Sequence, residues 1–287
     1  MQRALERRKL HRWSEALEDY QTAKQLAPDD PDVHRGVKLF ERLAPFLTAI
    51  REMDARLAVT PDDDQLLCDR ALLFLRSDDN ELALADAEAA MQKADWAVRP
   101  RLFRAIALIE LGRGAECAQM GIEQPLRLSA LTSEFLETIS RLDAEISVER
   151  ENAELYVARA WQLNEIGQPR LALADAELAL QHDGKSAGAH LECGYALSKL
   201  GRAAEALPHL QRATELDPTL AIAWQYRGEV ELARGEYQPA VDSLSHAVAL
   251  TPTYVALAKR AEAYEQLGKK EKAEEDRHAL EALSAPP

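Results

Sequence analysis

The chain has 287 residues, of which 47% are hydrophobic, and it carries a formal net charge of −14. Ala, Leu, Glu, Arg and Gln, which lose little side-chain freedom in a helix, dominate its composition, so we expect helix almost throughout. The negative charge argues against binding along nucleic-acid phosphates, and no apolar run approaches the roughly 20 residues of a membrane span.

The three cysteines indicate a reducing environment. Cys68, Cys117 and Cys193 are far apart, lack the spacing of metal ligands and leave one residue unpaired in any disulfide scheme. We expect them to be small buried side chains. The N-terminus has no apolar signal-peptide core, so we expect a cytoplasmic location unless an upstream targeting segment precedes this chain.

Residues 1–117 are expected to form an N-terminal block of degenerate helix pairs. Trp13, Ala16 and Tyr20 have helical spacing and predict the second helix of a pair whose first helix is cut short by the start of the chain. A further pair is predicted from Asp64 onward, although SDDN stands where a turn glycine is expected. The segment RPRLFRAIALIELGRGAECA predicts another pair.

Two acidic clusters lie where helices of this block are expected to begin. One contains Asp29, Asp30 and Asp32, and the other covers residues 62–64. Neither has the alternating ligand spacing and central glycine of an EF-hand loop. Carboxylates at a helix start accept hydrogen bonds from its free N–H groups and favour the positive end of its dipole. We therefore predict that these residues cap helices.

Residues 118–152 are the least regular stretch and are expected to form an irregular joint and a divergent helix pair. Pro125 falls inside what would be a first helix, where proline removes a backbone donor and breaks or kinks the helix. The stretch is either a joint between two blocks or a degenerate repeat.

A longer self-similarity relates the two halves at an offset of 89 residues. FLTAIREMDARLAV, at 46–59, aligns with FLETISRLDAEISV, at 135–148, and LALADAE occurs at both Leu82 and Leu171. We interpret this as duplication of a block of helix pairs. The alternative is chance similarity among Ala-rich helices, which an identical seven-residue string in register disfavours.

Residues 153–283 carry the most regular pattern. Gly167, Gly201 and Gly235 recur with a period of 34 residues, and Gly268 follows one residue short of it. Each glycine separates two apolar-periodic segments and can close the first helix in the left-handed conformation. Small residues recur at three further positions of the period, namely Ala160, Gly194 and Gly228, then Ala172, Ala206 and Ala240, then Ala179, Ala213 and Ala247.

This unit resembles the tetratricopeptide repeat family. The resemblance is carried by AELYVARAWQLNEIGQPRLALADAELALQHDG and by the two segments that follow it, GAHLECGYALSKLGRAAEALPHLQRATELDP and IAWQYRGEVELARGEYQPAVDSLSHAVALTP. It implies an all-α fold, a right-handed superhelical solenoid of about eight antiparallel helix pairs. The polar segment KKEKAEEDRHALEAL is expected to cap the array, and residues 284–287 to form a disordered tail.

The resemblance also implies where a partner binds. In this family the first helices line the concave side of the superhelix, and five positions of each repeat face the groove. Carried onto this chain, they include Leu72, Ile106, Val157, Trp161, Leu191, Tyr195, Gln225, Glu229 and Glu262. Trp161 and Tyr195 are the leading candidates, because aromatic side chains dominate binding hot spots. The alternative is that they pack against each other or a neighbouring helix.

The sequence contains no nucleotide-binding glycine loop, zinc-protease helix or paired-cysteine motif. We therefore expect a non-catalytic protein-interaction scaffold without cofactor or metal. Its partner would be a protein or peptide segment that is apolar with some basic residues; neither nucleic-acid binding nor membrane insertion is expected. Two alternatives remain: a regulatory or substrate-recruiting arm of a larger protein, and a scaffold that self-associates through its open first helix.

Overall fold

The computed structural model describes residues 2–122, 126, 129 and 131–284. Every regular element in these residues is a helix and none is a strand, so the all-α prediction is confirmed. The chain divides into two compact units, Met1–Asp143 (unit 1) and Ala144–Pro287 (unit 2). The predicted break at Pro125 and tail residues 285–287 lie outside the described residues, whereas Ser284 is the last residue of a helix.

The helices up to the unit boundary are α1 (Gln2–Lys9), α2 (Trp13–Leu26), α3 (Pro31–Leu43), α4 (Leu47–Leu57), α5 (Asp64–Arg76), α6 (Asn80–Lys93), α7 (Arg99–Glu110) and α8 (Ser133–Val148), which extends past it. In unit 1, α1 packs on α2 and α5 packs on α6. A 3₁₀ turn at Ala44–Phe46, which contains Pro45, joins α3 to α4. A 3₁₀ helix, Gly114–Met120, follows α7 where a second α-helix was expected.

Unit 2 contains the regular repeats. Its helices are α9 (Ala153–Glu165), α10 (Pro169–His182), α11 (Ala187–Lys199), α12 (Ala203–Leu216), α13 (Ala221–Ala233), α14 (Tyr237–Leu250), α15 (Tyr254–Gln266) and α16 (Lys270–Ser284). Each odd-numbered helix packs against the next even-numbered one as an antiparallel pair. The first helices also contact one another in succession, α9 with α11, α11 with α13 and α13 with α15.

The turns within pairs are closed by a residue in the left-handed conformation. Gly167 has a φ of 70°, and the N–H of Gln168 returns to the carbonyl of Leu163 at 2.8 Å. This hydrogen bond satisfies a carbonyl at the end of the helix, as predicted for a glycine cap. Asp78 of the SDDN segment takes the same conformation at a φ of 62°, although it is not glycine. The conformation recurs at Gly112, Gly201, Gly235 and Gly268.

The helix starts confirm the predicted capping role of two acidic residues. The Asp30 carboxylate accepts a hydrogen bond from the Asp32 amide at 2.8 Å, at the start of α3. The Asp63 carboxylate accepts one from the Leu66 amide at 3.0 Å, at the start of α5. Each bond satisfies a helical N–H that has no partner within the helix.

The three cysteines are free and buried, as predicted. Burial raises the pKa of the Cys68 and Cys193 thiols to about 12. Both thiols therefore stay protonated at neutral pH, which is consistent with a packing role.

Small residues at the eighth position of the period allow the two helices of a pair to approach closely. A Cβ atom at Gly194 would lie 2.5 Å from Cγ of Leu210, and one at Gly228 would lie 2.5 Å from Cγ of Leu244. Both leucines are fully buried. Tight contacts between helices therefore recur with the 34-residue period of the sequence.

A buried arginine–aspartate pair joins the two helices of several pairs, and it was not predicted. Arg159 donates through Nε and Nη2 to the two carboxylate oxygens of Asp175, at 2.7 and 2.8 Å. Such a bidentate contact fixes both the distance and the orientation of the partners. The same 16-residue separation occurs in Arg70–Asp86 and Arg260–Asp276, and also in Arg3–Asp19, where the arginine is exposed.

Two of these arginine–aspartate pairs are themselves separated by the offset of 89 residues. Arg70–Asp86 in unit 1 and Arg159–Asp175 in unit 2 occupy equivalent places of the proposed duplication. The shared string LALADAE contains the aspartate of each pair. The two segments related by this offset therefore share a specific interhelical contact, which is consistent with the interpretation of a duplication.

We predict that Gly194→Ala destabilises unit 2 by about 1–3 kcal/mol, because the added methyl group overlaps Leu210 in a closely packed contact. Urea unfolding followed by circular dichroism measures the effect. Gly184→Ala is the matched control, because its Cβ would meet only one backbone oxygen, at 3.6 Å. If Gly194 and Leu210 are coupled, Leu210→Ala lowers the free energy of unfolding less in the Gly194→Ala variant than in the wild type. Strict additivity would contradict the assigned contact.

We predict that Asp175→Asn destabilises the protein by about 3–5 kcal/mol, because it leaves the buried guanidinium of Arg159 without its carboxylate. Glu215→Gln removes the exposed partner of Arg212 and is expected to cost less than about 0.5 kcal/mol. Both values come from urea unfolding at neutral pH. Similar losses for the two variants would show that the buried pair has no special structural role.

Candidate partner-binding face

The candidate face lies on unit 2, where α9, α11 and α13 contact one another. Two of these helices have side-chain caps that fix where they begin. The Asn152 side chain accepts from the Glu154 amide at 3.2 Å, and the Ser186 hydroxyl accepts from the Ala189 amide at 3.2 Å. We call the surface formed by these helices the first-helix face; its residues are Trp161, Asn164, Glu192, Tyr195, Tyr226 and Glu229.

Trp161 and Tyr195 have different surroundings on this face. Trp161, on α9, has 52% of its surface exposed. Tyr195, on α11, is half-buried and stacks on Tyr226 of α13, with ring centroids 4.3 Å apart and planes inclined by 22°. The Nζ atom of Lys199 lies 4.9 Å from the Tyr195 ring centroid. Tyr195 therefore packs against a neighbouring helix, while Trp161 presents half of its surface to solvent.

A buried polar pair connects α9 to α11. Asn164 Nδ2 donates to Glu192 Oε2 at 2.6 Å, and the two residues are 7% and 6% exposed. The pKa of Glu192 is raised to about 7, mainly by burial and also by the negative charge of Glu165, while the hydrogen bond from Asn164 opposes the shift. Glu192 is therefore a carboxyl group that titrates near neutral pH.

The other predicted residues of unit 2 differ in exposure. Val157 is half-buried, and Leu191 is buried with 7% of its surface exposed. Gln225 is also buried and donates to Glu229 Oε1 at 2.9 Å, while Glu229 is half-buried. Glu262 is exposed, and its carboxylate pairs with Lys259 at 2.9 Å. Leu191 and Gln225 thus offer little surface to a partner.

The two predicted residues of unit 1 expose less of their surface to a partner than Trp161 does. Leu72 is half-buried, but Ile106 is only 1% exposed, because α7 places it in the core. Ile106 therefore has no surface for a partner. A cavity of about 590 Å³ in unit 1 lies elsewhere, and its walls include Leu5, Leu39 and Leu111.

Three residues of the first-helix face, Asn164, Glu192 and Tyr226, were not predicted. Glu192 was the clearest available signal, because it places a carboxylate within the otherwise apolar and small stretch AHLECGYAL. Its burial depends on α9, whose Asn164 lies 28 positions earlier in the chain. Periodicity within one helix does not reveal such a contact.

Among the residues that the structure describes, no group of three or more His, Cys, Asp or Glu side chains could hold a metal ion. In the same residues, no helix is long and apolar enough to cross a membrane. His190 lies beside His209, with their Nδ1 atoms 3.2 Å apart, and burial lowers the pKa of both imidazoles.

A family model for the tetratricopeptide repeat matches residues 187–220, which cover α11, its turn and α12. One helix pair of the chain, α11 with α12, therefore matches a tetratricopeptide repeat. The matched repeat is the one that supplies Glu192 and Tyr195 to the first-helix face. No curated protein sequence matches the chain.

Several solved structures of repeat proteins are similar to this chain. A crystal structure of MamA is 25% identical, over 49% of this chain and 83% of MamA, with a TM-score of 0.44. PilF of Pseudomonas aeruginosa is 12% identical, over 78% of this chain and 93% of PilF, with a TM-score of 0.44. YrrB, described as a TPR protein with an unusual peptide-binding site, is 20% identical, over 71% of this chain and 95% of YrrB, with a TM-score of 0.37.

We predict that Glu192→Gln becomes more stable relative to the wild type as the pH rises. Because the folded-state pKa of about 7 lies above the ordinary value of 4.5, the protonated carboxyl stabilises the fold at low pH, and this contribution is lost as the pH rises through about 7. Between pH 5 and pH 8 the difference in unfolding free energy should grow by about 2–3 kcal/mol. Urea unfolding across this range measures it.

The exposed neighbour Glu165 provides the control for this prediction. Glu165→Gln should show a much smaller change with pH, because it removes only the part of the raised Glu192 pKa that comes from the charge of Glu165. A pH-independent difference for Glu192→Gln would mean that its carboxyl group ionises normally.

Proposed function

We propose that this protein is a non-catalytic interaction scaffold that binds a segment of another protein on the first-helix face of unit 2. The exposure of Trp161 carries the proposal, since this side chain leaves 52% of its surface in solvent within an otherwise well-packed repeat. Trp161 lies on α9, which packs against α11, and the Tyr195–Tyr226 stack joins α11 to α13. Large aromatic side chains supply much of the binding energy at protein interfaces.

The spacing of the helices suits an extended segment. Packed helix axes are about 8–10 Å apart, so three successive first helices span about 20 Å. An extended chain of about six residues covers that distance at about 3.3 Å per residue. Such a segment would contact α9, α11 and α13 in turn.

The charge of the face favours a segment that contains basic residues. Glu165, Glu192, Glu229 and Glu262 lie one on each successive first helix, and the whole chain carries a net charge of −14. Apolar side chains of the segment would pack on Trp161 and Tyr195, and its basic side chains would meet the carboxylates. The three buried free thiols support a cytoplasmic location for this interaction.

A displayed library of random 12-residue peptides, selected on the purified chain, tests the proposal. We expect enrichment of peptides that combine aromatic or aliphatic residues with Arg or Lys. Trp161→Ala should weaken their binding by about tenfold or more in calorimetry, because it removes the exposed aromatic contact. Circular dichroism should show an unchanged fold, since half of this side chain lies outside the core.

Leu178→Ala is the matched control, because Leu178 is also a large exposed apolar residue but lies on a second helix, α10. It should leave peptide affinity unchanged. The proposal fails if no peptides are enriched, or if Trp161→Ala and Leu178→Ala affect the enriched peptides equally.

A further inference from the structure

Glu192 is a buried carboxylate without a neutralising cation. No Lys, Arg or His side chain of the described residues forms an ion pair with it, although it is only 6% exposed. Its one described hydrogen bond is the donation from Asn164 to Oε2, and Oε1 is not among the fully buried atoms without a partner, so it stays accessible to a donor from outside. Burying a carboxylate in this way costs several kcal/mol unless a positive group compensates it. The site therefore lacks a donor-rich positive partner.

Asn164 adds a second acceptor with the same deficiency. Its Oδ1 atom is buried and has no hydrogen-bond partner, while its Nδ2 is bonded to Glu192. The residue is more than nine-tenths buried. The hydrogen bond between the two residues thus joins α9 to α11, and each residue keeps one oxygen that accepts no described hydrogen bond.

The surroundings combine negative charge with aromatic surface. Exposed Glu165 lies next to Asn164 on α9, and its charge acts on Glu192. Tyr226 lies on α13, and its pKa is raised first by burial, then by Tyr195, and then by the negative charges of Glu229 and Glu192. The Tyr195–Tyr226 stack therefore lies close to the two acceptors, and exposed Trp161 precedes Asn164 by one helical turn.

A guanidinium group matches this set of features better than an ammonium group. Its planar fork presents five N–H donors, enough to reach a carboxylate and an amide oxygen together. It is less strongly hydrated than an ammonium, so it is easier to bury, and it stacks on aromatic rings. A carboxylate ligand is disfavoured, because it would meet acceptors and negative charge only.

We propose that Asn164 and Glu192 form a subsite for an arginine side chain of the bound segment, flanked by Trp161 and the Tyr195–Tyr226 stack. This inference rests on the proposed function, because it assigns one side chain of the partner to one place on the first-helix face. The guanidinium donates to Glu192 Oε1 and Asn164 Oδ1, and it supplies the positive charge that the buried carboxylate lacks.

Titration of the labelled full chain with N-acetyl-arginine amide tests this subsite by NMR. We expect saturable shifts of the Asn164 side-chain NH₂ signals and of the Glu192 carboxyl carbon at pH 8, where the carboxylate is ionised. N-acetyl-citrulline amide has nearly the same shape without the charge and should bind at least about tenfold more weakly. N-acetyl-lysine amide should also bind more weakly than the arginine probe.

Glu192→Gln should abolish the shifts caused by the arginine probe, whereas Glu165→Gln should reduce its affinity by less than about twofold. Circular dichroism confirms that both variants are folded. Equal binding of arginine and citrulline, equal binding of arginine and lysine, or unchanged arginine binding to Glu192→Gln would each overturn the subsite.

The outcome is separable from that of the proposed function. Library peptides that bind in a Trp161-dependent way without requiring arginine would support the binding face and contradict this subsite. Arginine binding without any peptide binding would contradict the proposed function while leaving the guanidinium chemistry intact.

Discussion

The close approach of the two helices in each pair is the constraint on which the rest of unit 2 depends. At Gly194 and Gly228 the distance between helices leaves no room for a methyl group, because Leu210 and Leu244 already fill it. Because the two helices of a pair lie so close together, each pair stacks on the next with their first helices in contact. Residues that are 34 positions apart in sequence thereby become neighbours on one surface.

The buried arginine–aspartate pairs have a different role. Arg159 and Asp175 join α9 to α10, but the equivalent places in the next pair of helices are occupied by Cys193 and His209. The close approach persists there without the ion pair, so the ion pair does not create the fold. A bidentate contact between buried charges is expensive to desolvate and contributes little net stability, but it excludes other alignments of the two helices. We interpret it as a constraint on register within individual pairs.

Local features of the fold were predictable from the sequence, whereas contacts between repeats were not. The left-handed turn at Gly167 and the cap at Asp63 depend on neighbours within a few residues, so their sequence patterns are sufficient. Repeat position indicates which side of a helix a residue occupies but not how deeply it is buried, which is why Ile106 was wrongly expected to be accessible. The Tyr195–Tyr226 stack joins two helices, and no pattern within either one specifies it.

The polar pair between α9 and α11 differs from the packing around it. Elsewhere in unit 2 the buried residues between helices are mainly Ala and Leu, and buried polar residues such as Gln225 and Ser243 form hydrogen bonds with a neighbouring element. At Asn164 and Glu192 the chain instead buries an amide oxygen without a donor beside a carboxyl group without a cation, at a cost that tight packing in neighbouring pairs can offset. Replacing Glu192 with an apolar residue would remove the cost and the charge together. A partner that supplies the missing donors removes this energetic cost when it binds. The buried polar pair therefore destabilises the free protein and favours a complex with a partner that carries such donors.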